Sequence, residues 1–327
     1  METAEQFRSA AAQAVEFLKA GEAVALPTET VYGLAANAFN EKAVERIYKV
    51  KGRPAHNPVI VHVSSLGMAK DCVRTWTQAA EKLAAQFWPG PLTIVLPRAD
   101  SIPSIVVAKG ETLGVRFPLH PLIRKVIEAC SFPLAAPSAN LANQLSPTTA
   151  RHVLEQLDGK IPLIVDAGPT SVGIESTVVD LTEGTPRILC PGMISAEQLG
   201  RALGVEVVKG PNRTTELRSP GLLNKHYSPR ARLTITSWKN PDDLRSFTEA
   251  TGHEPEVIHI LTYDQIPEAN PYGRVAIIPN DADAYARALY AELHRSDDLG
   301  AKLIVVERPP AGAEWEGIHD RLKRASA

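Results

Sequence analysis

The first two thirds of the chain alternate short apolar runs with segments in which apolar residues recur at helical spacing. Residues 3–20 show this spacing, and Gly21 is placed to end the helix. Helices are also predicted for EKAVERIYKV, TQAAEKLAAQFW, PLIRKVIEAC and SPTTARHVLEQL. Strands are predicted for AVAL, PVIVHV, LTIVLP, LGVRFP, PLAAPS, PLIVDAG, STVVDL and PRILCPG. The alternation predicts an α/β sheet domain over residues 1–209.

The pattern breaks between residues 209 and 231, which carry three prolines and neither helical nor strand periodicity. We predict a linker over residues 210–230. Its NKHYSP stretch offers Asn224, His226 and Tyr227 and is long enough to fold back over the first domain as an active-site lid. The alternative is a plain tether. Strands and helices then alternate again and predict a small α/β domain over residues 231–327.

The composition is that of a globular protein, with 327 residues, 44% hydrophobic and 22% charged. No apolar run approaches the roughly 18 to 20 residues of a membrane-spanning helix, and the N-terminal segment carries acids where a secretion signal would be basic. We therefore expect a soluble cytoplasmic protein with no membrane partner. The three cysteines are far apart in sequence, which argues against a disulfide framework or a zinc module and favours buried thiols.

The charge is unevenly distributed along the chain. The net charge of −2 argues against wholesale electrostatic capture of nucleic acid. Residues 1–230 hold 24 Lys+Arg against 21 Asp+Glu, whereas residues 231–327 hold 11 against 16. The basic surplus of the first part favours binding of an anionic ligand there.

Neither of the two common nucleotide-binding signatures, the P-loop and the Rossmann glycine pattern, is present in the sequence. Lys51 and Arg53 instead flank Gly52, which with Pro54 is expected to end the preceding helix and leave both cations on a constrained loop. Such a pair suits a polyphosphate. The alternative is a solvated basic helix end that complements the helix dipole.

Several other polar residues stand beside apolar runs. His62 lies within PVIVHV, where a core histidine is the default, and Arg116 lies within an apolar strand, where it needs an anionic partner. Ser138, Asn140 and Ser176 follow or precede such runs and are candidates for ligand contacts or for turns and caps; the same holds for Thr177. Ser146 is predicted as a helix N-cap, with Pro147 as first helical residue, and a helix start is also an anion site.

Ten short motifs occur in one order along the chain: PTETVYGL, KVKGRP, NPVIVHV, WPGPLTIVL, VRFP, PSAN, SPT, IESTVVD, SPG and HYSP. With them the chain resembles the YrdC-like threonylcarbamoyl-adenylate synthase family, in its two-domain form with a C-terminal extension. The resemblance implies an open, twisted sheet domain with a concave basic cavity, joined by a long linker to a smaller Rossmann-like domain.

The resemblance also implies a reaction. L-threonine, bicarbonate and ATP, with Mg²⁺ as the cofactor that accompanies ATP, give threonylcarbamoyl-adenylate and pyrophosphate. A separate tRNA threonylcarbamoyl-transferase complex then uses the product to modify the adenosine next to the anticodon. Two rival hypotheses are a double-stranded RNA-binding module without adenylation activity and a carbamoyl-transfer domain of hydrogenase maturation, whose zinc-finger cysteine pairs this chain lacks.

Roles for individual residues follow from the same resemblance. Thr30 is expected to face the ligand while Thr28 and Glu29 fix its turn, and Lys51 and Arg53 are expected to be catalytic. The residues expected to bind threonine or the threonylcarbamoyl group are Thr30, His62, Arg116 and Ser176. The residues expected to bind the nucleotide are Lys51, Arg53, Asn57, Thr112, Ser138, Asn140, Ser146 and Tyr227. No protein-bound metal site is expected.

Overall fold

The computed structural model describes residues 3–54, 56–210, 227–267 and 271–326. These residues form two sheets, which confirms a two-domain α/β fold. Most of the predicted linker, with Asn224 and His226, lies outside the described residues, so its role as a lid stays a prediction. In the described part of the chain, no helix is long and apolar enough to cross a membrane.

The larger sheet has nine strands in the described residues, in the order β1-β2-β6-β3-β5-β4-β7-β8-β9. The strands are β1 (Val24–Leu26), β2 (Gly33–Asn37), β3 (Val61–His62), β4 (Leu92–Pro97), β5 (Thr112–Arg116), β6 (Leu134–Ala135), β7 (Thr177–Asp180), β8 (Arg187–Cys190) and β9 (Val208–Lys209). Neighbours β3 and β5, β4 and β7, and β8 and β9 run parallel, and the other neighbours run antiparallel. The sheet is therefore mixed.

Helices cover both faces of this sheet. They are α1 (Ala4–Lys19), α2 (Glu41–Lys51), α3 (Leu66–Asp71), α4 (Gln78–Phe87), α5 (Pro121–Cys130), α6 (Ala150–Leu157) and α7 (Ala196–Leu203). Val24 and Leu26 of β1 join a buried apolar cluster with α1 and α5, whereas Ala25 joins a second cluster with α2, α4, α6 and α7. Because successive strand residues point to opposite faces, the two clusters lie on opposite sides of the sheet.

One predicted helix start and one predicted strand are wrong. Thr149, not Ser146, caps α6: its side chain accepts from the His152 amide, and the helix begins at Ala150. The Ser146 hydroxyl instead donates to Glu175, which lies far away in sequence. The predicted strand PLIVDAG makes only an isolated bridge, between Ile164 and Ala25 of β1.

The C-terminal domain is a four-stranded parallel sheet with helices, as expected for a Rossmann-like fold. Its elements are β10 (Arg232–Thr236), α8 (Pro241–Glu249), β11 (Ile258–Thr262), β12 (Arg274–Ile277), α9 (Ala282–Asp298), β13 (Leu303–Glu307) and α10 (Glu316–Ala325). The strand order is β10-β13-β11-β12, and each neighbouring pair is parallel.

The two domains pack directly against each other through α9 and α10. Val31 and Ile174 of the first domain share an apolar cluster with Tyr285 and Leu289 of α9. On α10, a Cβ atom added to Gly317 would lie 2.8 Å from backbone atoms of Gly192. Only glycine permits this approach, so α10 sits against the loop that follows β8.

Candidate active site

A cavity opens in the first domain where the loop after β1, the loop after β6 and the loop before β7 meet the ends of β3 and β5. Tyr227 and α10 close one side of it. The cavity is lined by Thr28, Thr30, Val31, Gly33, Arg53, Ile60, His62, Arg116, Ala136, Pro137, Ser138, Glu175, Ser176, Val178, Cys190, Tyr227 and Arg321. The structure thus brings together residues predicted for both threonine and the nucleotide.

The loop after β1 is fixed by the first threonine of the PTET motif. The Thr28 hydroxyl donates to the Val31 carbonyl (2.6 Å) and accepts from the Thr30 amide (3.1 Å). It also lies 2.9 Å from the Thr30 hydroxyl. Thr28 therefore closes a hydrogen-bonded turn that turns Thr30 toward the cavity, where both side chains are part of the lining.

Glu29 is the anionic partner that Arg116 needs inside its strand. Arg116 Nη2 donates to Glu29 Oε1 at 2.6 Å, with the side chains 5% and 2% exposed. Arg116 Nη1 donates to the Thr30 hydroxyl at 2.9 Å. The second Glu29 oxygen accepts from the Leu119 amide at 3.0 Å. The buried pair thus fixes the guanidinium at the cavity wall.

His62 and Ser176, which are also predicted to bind threonine, are buried in the lining of the same cavity as Arg116. His62 follows Val61 in β3 and pairs with Arg116 in the parallel register of β3 and β5. Burial, and secondly the charge of Arg116, lower the pKa of His62 to about 3, so the imidazole is neutral near pH 7. Its Nδ1 atom has no hydrogen-bond partner among the described residues. The Ser176 hydroxyl lies 2.8 Å from that of Thr93.

Lys51 is buried behind the cavity rather than exposed on its surface. Its Nζ atom donates to the carbonyls of Ser138 and Asn140, both at 2.5 Å, and to Asn140 Oδ1 at 3.3 Å. These contacts use the three N–H groups of the ammonium and hold the PSAN loop. Burial lowers the pKa of Lys51 well below its ordinary value, as does the charge of Arg53 to a smaller extent, while Glu175 opposes the shift.

Arg53 lines the cavity, so the hypothesis of a solvated basic helix end is wrong for both cations. Arg53 is 8% and Lys51 2% exposed. Arg53 Nε donates to the Asn57 carbonyl (3.1 Å) and Nη2 to the Pro58 carbonyl (2.7 Å). Gly52 caps α2 in the left-handed conformation, with φ of 60°. The predicted helix end is therefore confirmed, but Lys51 is the last residue of α2 and does not lie on the loop that was predicted for both cations.

Besides Lys51, four more of the predicted nucleotide residues lie outside the lining. Asn57 is buried beside Arg53, and its Oδ1 atom has no partner in the described part of the chain. Asn140 holds its own loop by donating to the carbonyls of Leu141 and Gln144. Ser146 lies behind Glu175. Thr112 begins β5 and lies four residues, or about 13 Å of strand, from Arg116.

Two family models together match nearly the whole chain. The Sua5_yciO_yrdC family model, described as telomere recombination, matches residues 16–192. The Sua5_C model, described as the C-terminal domain of threonylcarbamoyl-AMP synthase, matches residues 194–327. This chain belongs to the Sua5/YciO/YrdC family. The resemblance seen in the ten motifs is thereby confirmed.

Curated two-domain members of the Sua5/YciO/YrdC family are similar to this chain along nearly their full length. The threonylcarbamoyl-AMP synthase of Pyrococcus abyssi is 37% identical and covers 96% of this chain and 93% of the relative. That of Bacillus subtilis is 38% identical, with 96% and 92% covered. The crystal structure of P. abyssi Sua5 complexed with L-threonine matches with a TM-score of 0.89 and 35% identity, covering 97% of this chain and 94% of that chain.

Sequence reasoning missed the part of this Sua5/YciO/YrdC-type cavity that the C-terminal domain builds. Arg321 of α10 lines the cavity and donates from Nε to Glu175 Oε2 at 2.6 Å. Tyr290 of α9 also donates to that oxygen, at 3.2 Å. Glu175 precedes the predicted Ser176 and could have been noticed there. Arg321 carries no such signal, because it stands in an ordinary amphipathic helix.

Two further observations bear on the predicted chemistry. In residues 3–54, 56–210, 227–267 and 271–326, no group of three or more His, Cys, Asp or Glu side chains could hold a metal ion. Cys72, Cys130 and Cys190 are all free and buried, which confirms the prediction for the cysteines.

Proposed function

We propose that this chain is a threonylcarbamoyl-AMP synthase that converts L-threonine, bicarbonate and ATP into threonylcarbamoyl-AMP and pyrophosphate. One observation carries the proposal. The four residues expected to bind threonine, Thr30, His62, Arg116 and Ser176, line a single cavity, in a chain that follows curated threonylcarbamoyl-AMP synthases nearly end to end. The family's structure with L-threonine bound has the same fold.

Arg116 is suited to bind the carboxylate of threonine. Each terminal nitrogen of a guanidinium carries two N–H groups, and each makes one side-chain hydrogen bond here, to Glu29 or to Thr30. The second N–H of each nitrogen is left for a carboxylate, which Arg binds in a bidentate manner. The hydroxyls of Thr30 and Ser176 and the neutral imidazole of His62 offer uncharged hydrogen-bonding partners to the rest of the amino acid.

The proposed reaction needs no covalent enzyme intermediate. The threonine amine takes up carbon dioxide derived from bicarbonate and forms a carbamate with loss of a proton. A carbamate oxygen then attacks the α-phosphorus of ATP, and pyrophosphate leaves. The chain's contribution is to hold the two anions together in the cavity, in the orientation that the reaction requires.

The nucleotide is proposed to lie on the Arg53 and Ser138 side of the cavity, with Mg²⁺ entering as part of the MgATP substrate. Arg53 points into the cavity and can bind phosphate oxygens. Lys51 acts from behind the loop, where its charge favours anions and its three hydrogen bonds shape the cavity wall. The predicted roles of Asn57, Thr112 and Tyr227 stay predictions.

The product is proposed to pass to a tRNA threonylcarbamoyl-transferase complex. The mixed anhydride is labile in water, which favours direct use by such a partner. The cytoplasmic location also stays a prediction from the sequence.

A pyrophosphate-release assay tests the function. We expect pyrophosphate only when threonine, bicarbonate and MgATP are all present. Arg116→Met should abolish the threonine-dependent release of pyrophosphate. Arg46→Met, at an exposed ion pair with Glu22, should leave this activity unchanged. Pyrophosphate release that continues without threonine or without bicarbonate contradicts the proposal.

A further inference from the structure

The cavity that is proposed to bind anions has one carboxylate in its wall. Among its lining residues in the described part of the chain, Glu175 is the single acid, beside the cations Arg53, Arg116 and Arg321. An ionised carboxylate at this place repels a triphosphate and an amino-acid carboxylate unless its charge is balanced.

The charge of Glu175 is balanced from the C-terminal domain. Arg321 Nε donates to Glu175 Oε2 at 2.6 Å, with the Arg321 side chain 2% exposed. The other carboxylate oxygen, Oε1, accepts from the Ser146 hydroxyl at 2.5 Å. Both oxygens are thus held, and the cation that holds one of them belongs to the last helix of the chain.

Arg321 also joins three separate parts of the molecule. Its Nη1 atom donates to the Pro191 carbonyl at 2.9 Å in the first domain and to Asp320 on its own helix at 2.6 Å. Its guanidinium carbon lies 5.3 Å from the ring centroid of Tyr227, which also lines the cavity. At this distance the cation and the aromatic face attract each other.

The position of Arg321 is fixed by the way α10 packs. Gly317, one turn earlier on the same face, lies against Gly192 so closely that an added Cβ would be 2.8 Å from its backbone. Arg321 is therefore delivered to Glu175 by a helix with no freedom to approach differently, which is what a preorganised site requires.

We propose that Arg321 is a positioning residue of the active site, which neutralises Glu175 and holds it against the wall, so that the C-terminal domain makes the cavity fit for anionic substrates. The inference rests on the proposed function for the identity of those substrates. It assigns to the C-terminal domain a part in substrate binding, beyond stability.

The decisive comparison is between Arg321→Met and the double variant Glu175→Gln/Arg321→Met. Arg321→Met leaves an unpaired carboxylate beside the substrates, and we expect the KM for ATP and threonine to rise about tenfold or more, with a smaller change in kcat. Adding Glu175→Gln removes that carboxylate and should restore most of the lost affinity. Lys323→Met is the matched control, because it removes an exposed cation from the same helix and should change neither constant.

A purely structural role of Arg321 predicts a different result. If Arg321 only docked the C-terminal domain, adding Glu175→Gln would lower activity further or leave it unchanged, and that outcome overturns the proposal. Thermal denaturation of each variant shows whether it is folded. If Arg321→Met does not fold, Arg321→Lys, which keeps the positive charge beside Glu175, should have a KM close to that of the wild type. A KM raised as far as that expected for Arg321→Met overturns the proposal.

Failure of this inference is separable from failure of the proposed function. The wild type and Lys323→Met report the function, because both must release pyrophosphate in a threonine- and bicarbonate-dependent way. Calorimetric binding of MgATP, which needs no turnover, compares Arg321→Met with the double variant even if no turnover is seen. Equal MgATP affinity of these two variants contradicts the role of Arg321.

Discussion

Glu29→Gln tests whether the buried ion pair with Arg116 organises the threonine side of the cavity. The substitution keeps the shape of the side chain and removes its charge. The two side chains are 2% and 5% exposed and their charged atoms lie 2.6 Å apart, so the remaining guanidinium has no solvent to compensate the loss. Removing one partner of such a pair costs about 3 to 5 kcal/mol.

This energy translates into a measurable loss of thermal stability. A domain of about 200 residues loses roughly 2 to 4 °C in Tm for each kcal/mol, so we expect Glu29→Gln to lower Tm by roughly 6 to 20 °C. Glu22→Gln is the matched control: its partner Arg46 lies 3.1 Å away, but the side chains are 34% and 51% exposed. A surface pair of this kind contributes about 0 to 1 kcal/mol.

Threonine binding should weaken together with stability. Glu29 accepts from Arg116 Nη2 with one oxygen and from the Leu119 amide with the other. Glutamine has a single acceptor oxygen, so one of these two contacts is lost and the guanidinium is held less firmly at the cavity. Calorimetry on the folded variant at low temperature should show weaker threonine binding, while MgATP binding changes less. A Glu29→Gln protein that melts within about 2 °C of Glu22→Gln and binds threonine as the wild type does would refute this account of the site.

Two other predictions follow from buried cations and imidazoles. Lys51→Met removes three hydrogen bonds to the PSAN loop, so chemical denaturation should show a loss of about 2 to 4 kcal/mol, against less than about 0.5 kcal/mol for the exposed Lys49→Met; equal losses would contradict the buried placement. His152 of α6 and His294 of α9 stack across the domain interface with ring centroids 3.8 Å apart. Burial and then the charge of His294 lower the pKa of His152 to about 3, and burial lowers that of His294 although Asp297 and other acids oppose it. The neutral forms are favoured in the folded state, so this stability is present above about pH 6.5 and is lost as the pH falls toward 3. Tm should therefore drop more between pH 7.5 and 5.5 in the wild type than in His152→Phe, and parallel curves would contradict the stacking argument.

Local structure could be predicted from the sequence where a short segment determines its own conformation. The PTET turn is closed by Thr28 within three residues, and Gly52 ends α2 locally, so both could be predicted. Arg116 in an apolar strand required an acid by elementary electrostatics, although sequence alone could not name Glu29 as its partner, 87 residues away.

Prediction failed where a distant group competes for a side chain. Ser146 and Thr149 are both good helix caps, and the choice between them depends on Glu175, which takes the Ser146 hydroxyl. The charge of Lys51 is visible in the sequence but its three acceptors are not, so its burial behind the PSAN loop could not be predicted. The place of Arg321 in the cavity could not be predicted for the same reason, because its contact partner Glu175 lies 146 residues away in the sequence.

The C-terminal domain also shows why fold alone is a poor guide to where anions bind. In parallel α/β sheets, ligands usually bind at the carboxyl ends of the strands. Here Glu307, at the end of β13, places its own carboxylate there: it accepts from the Thr262 hydroxyl (2.5 Å) and from the amides of Tyr263 (2.9 Å) and Asp264 (3.1 Å). Consecutive backbone N–H groups of this kind can bind a phosphate, but these already hold a carboxylate that is 5% exposed. These donors are therefore already satisfied within the domain, and its contact with the active site runs through Arg321 of α10 and Tyr290 of α9 instead.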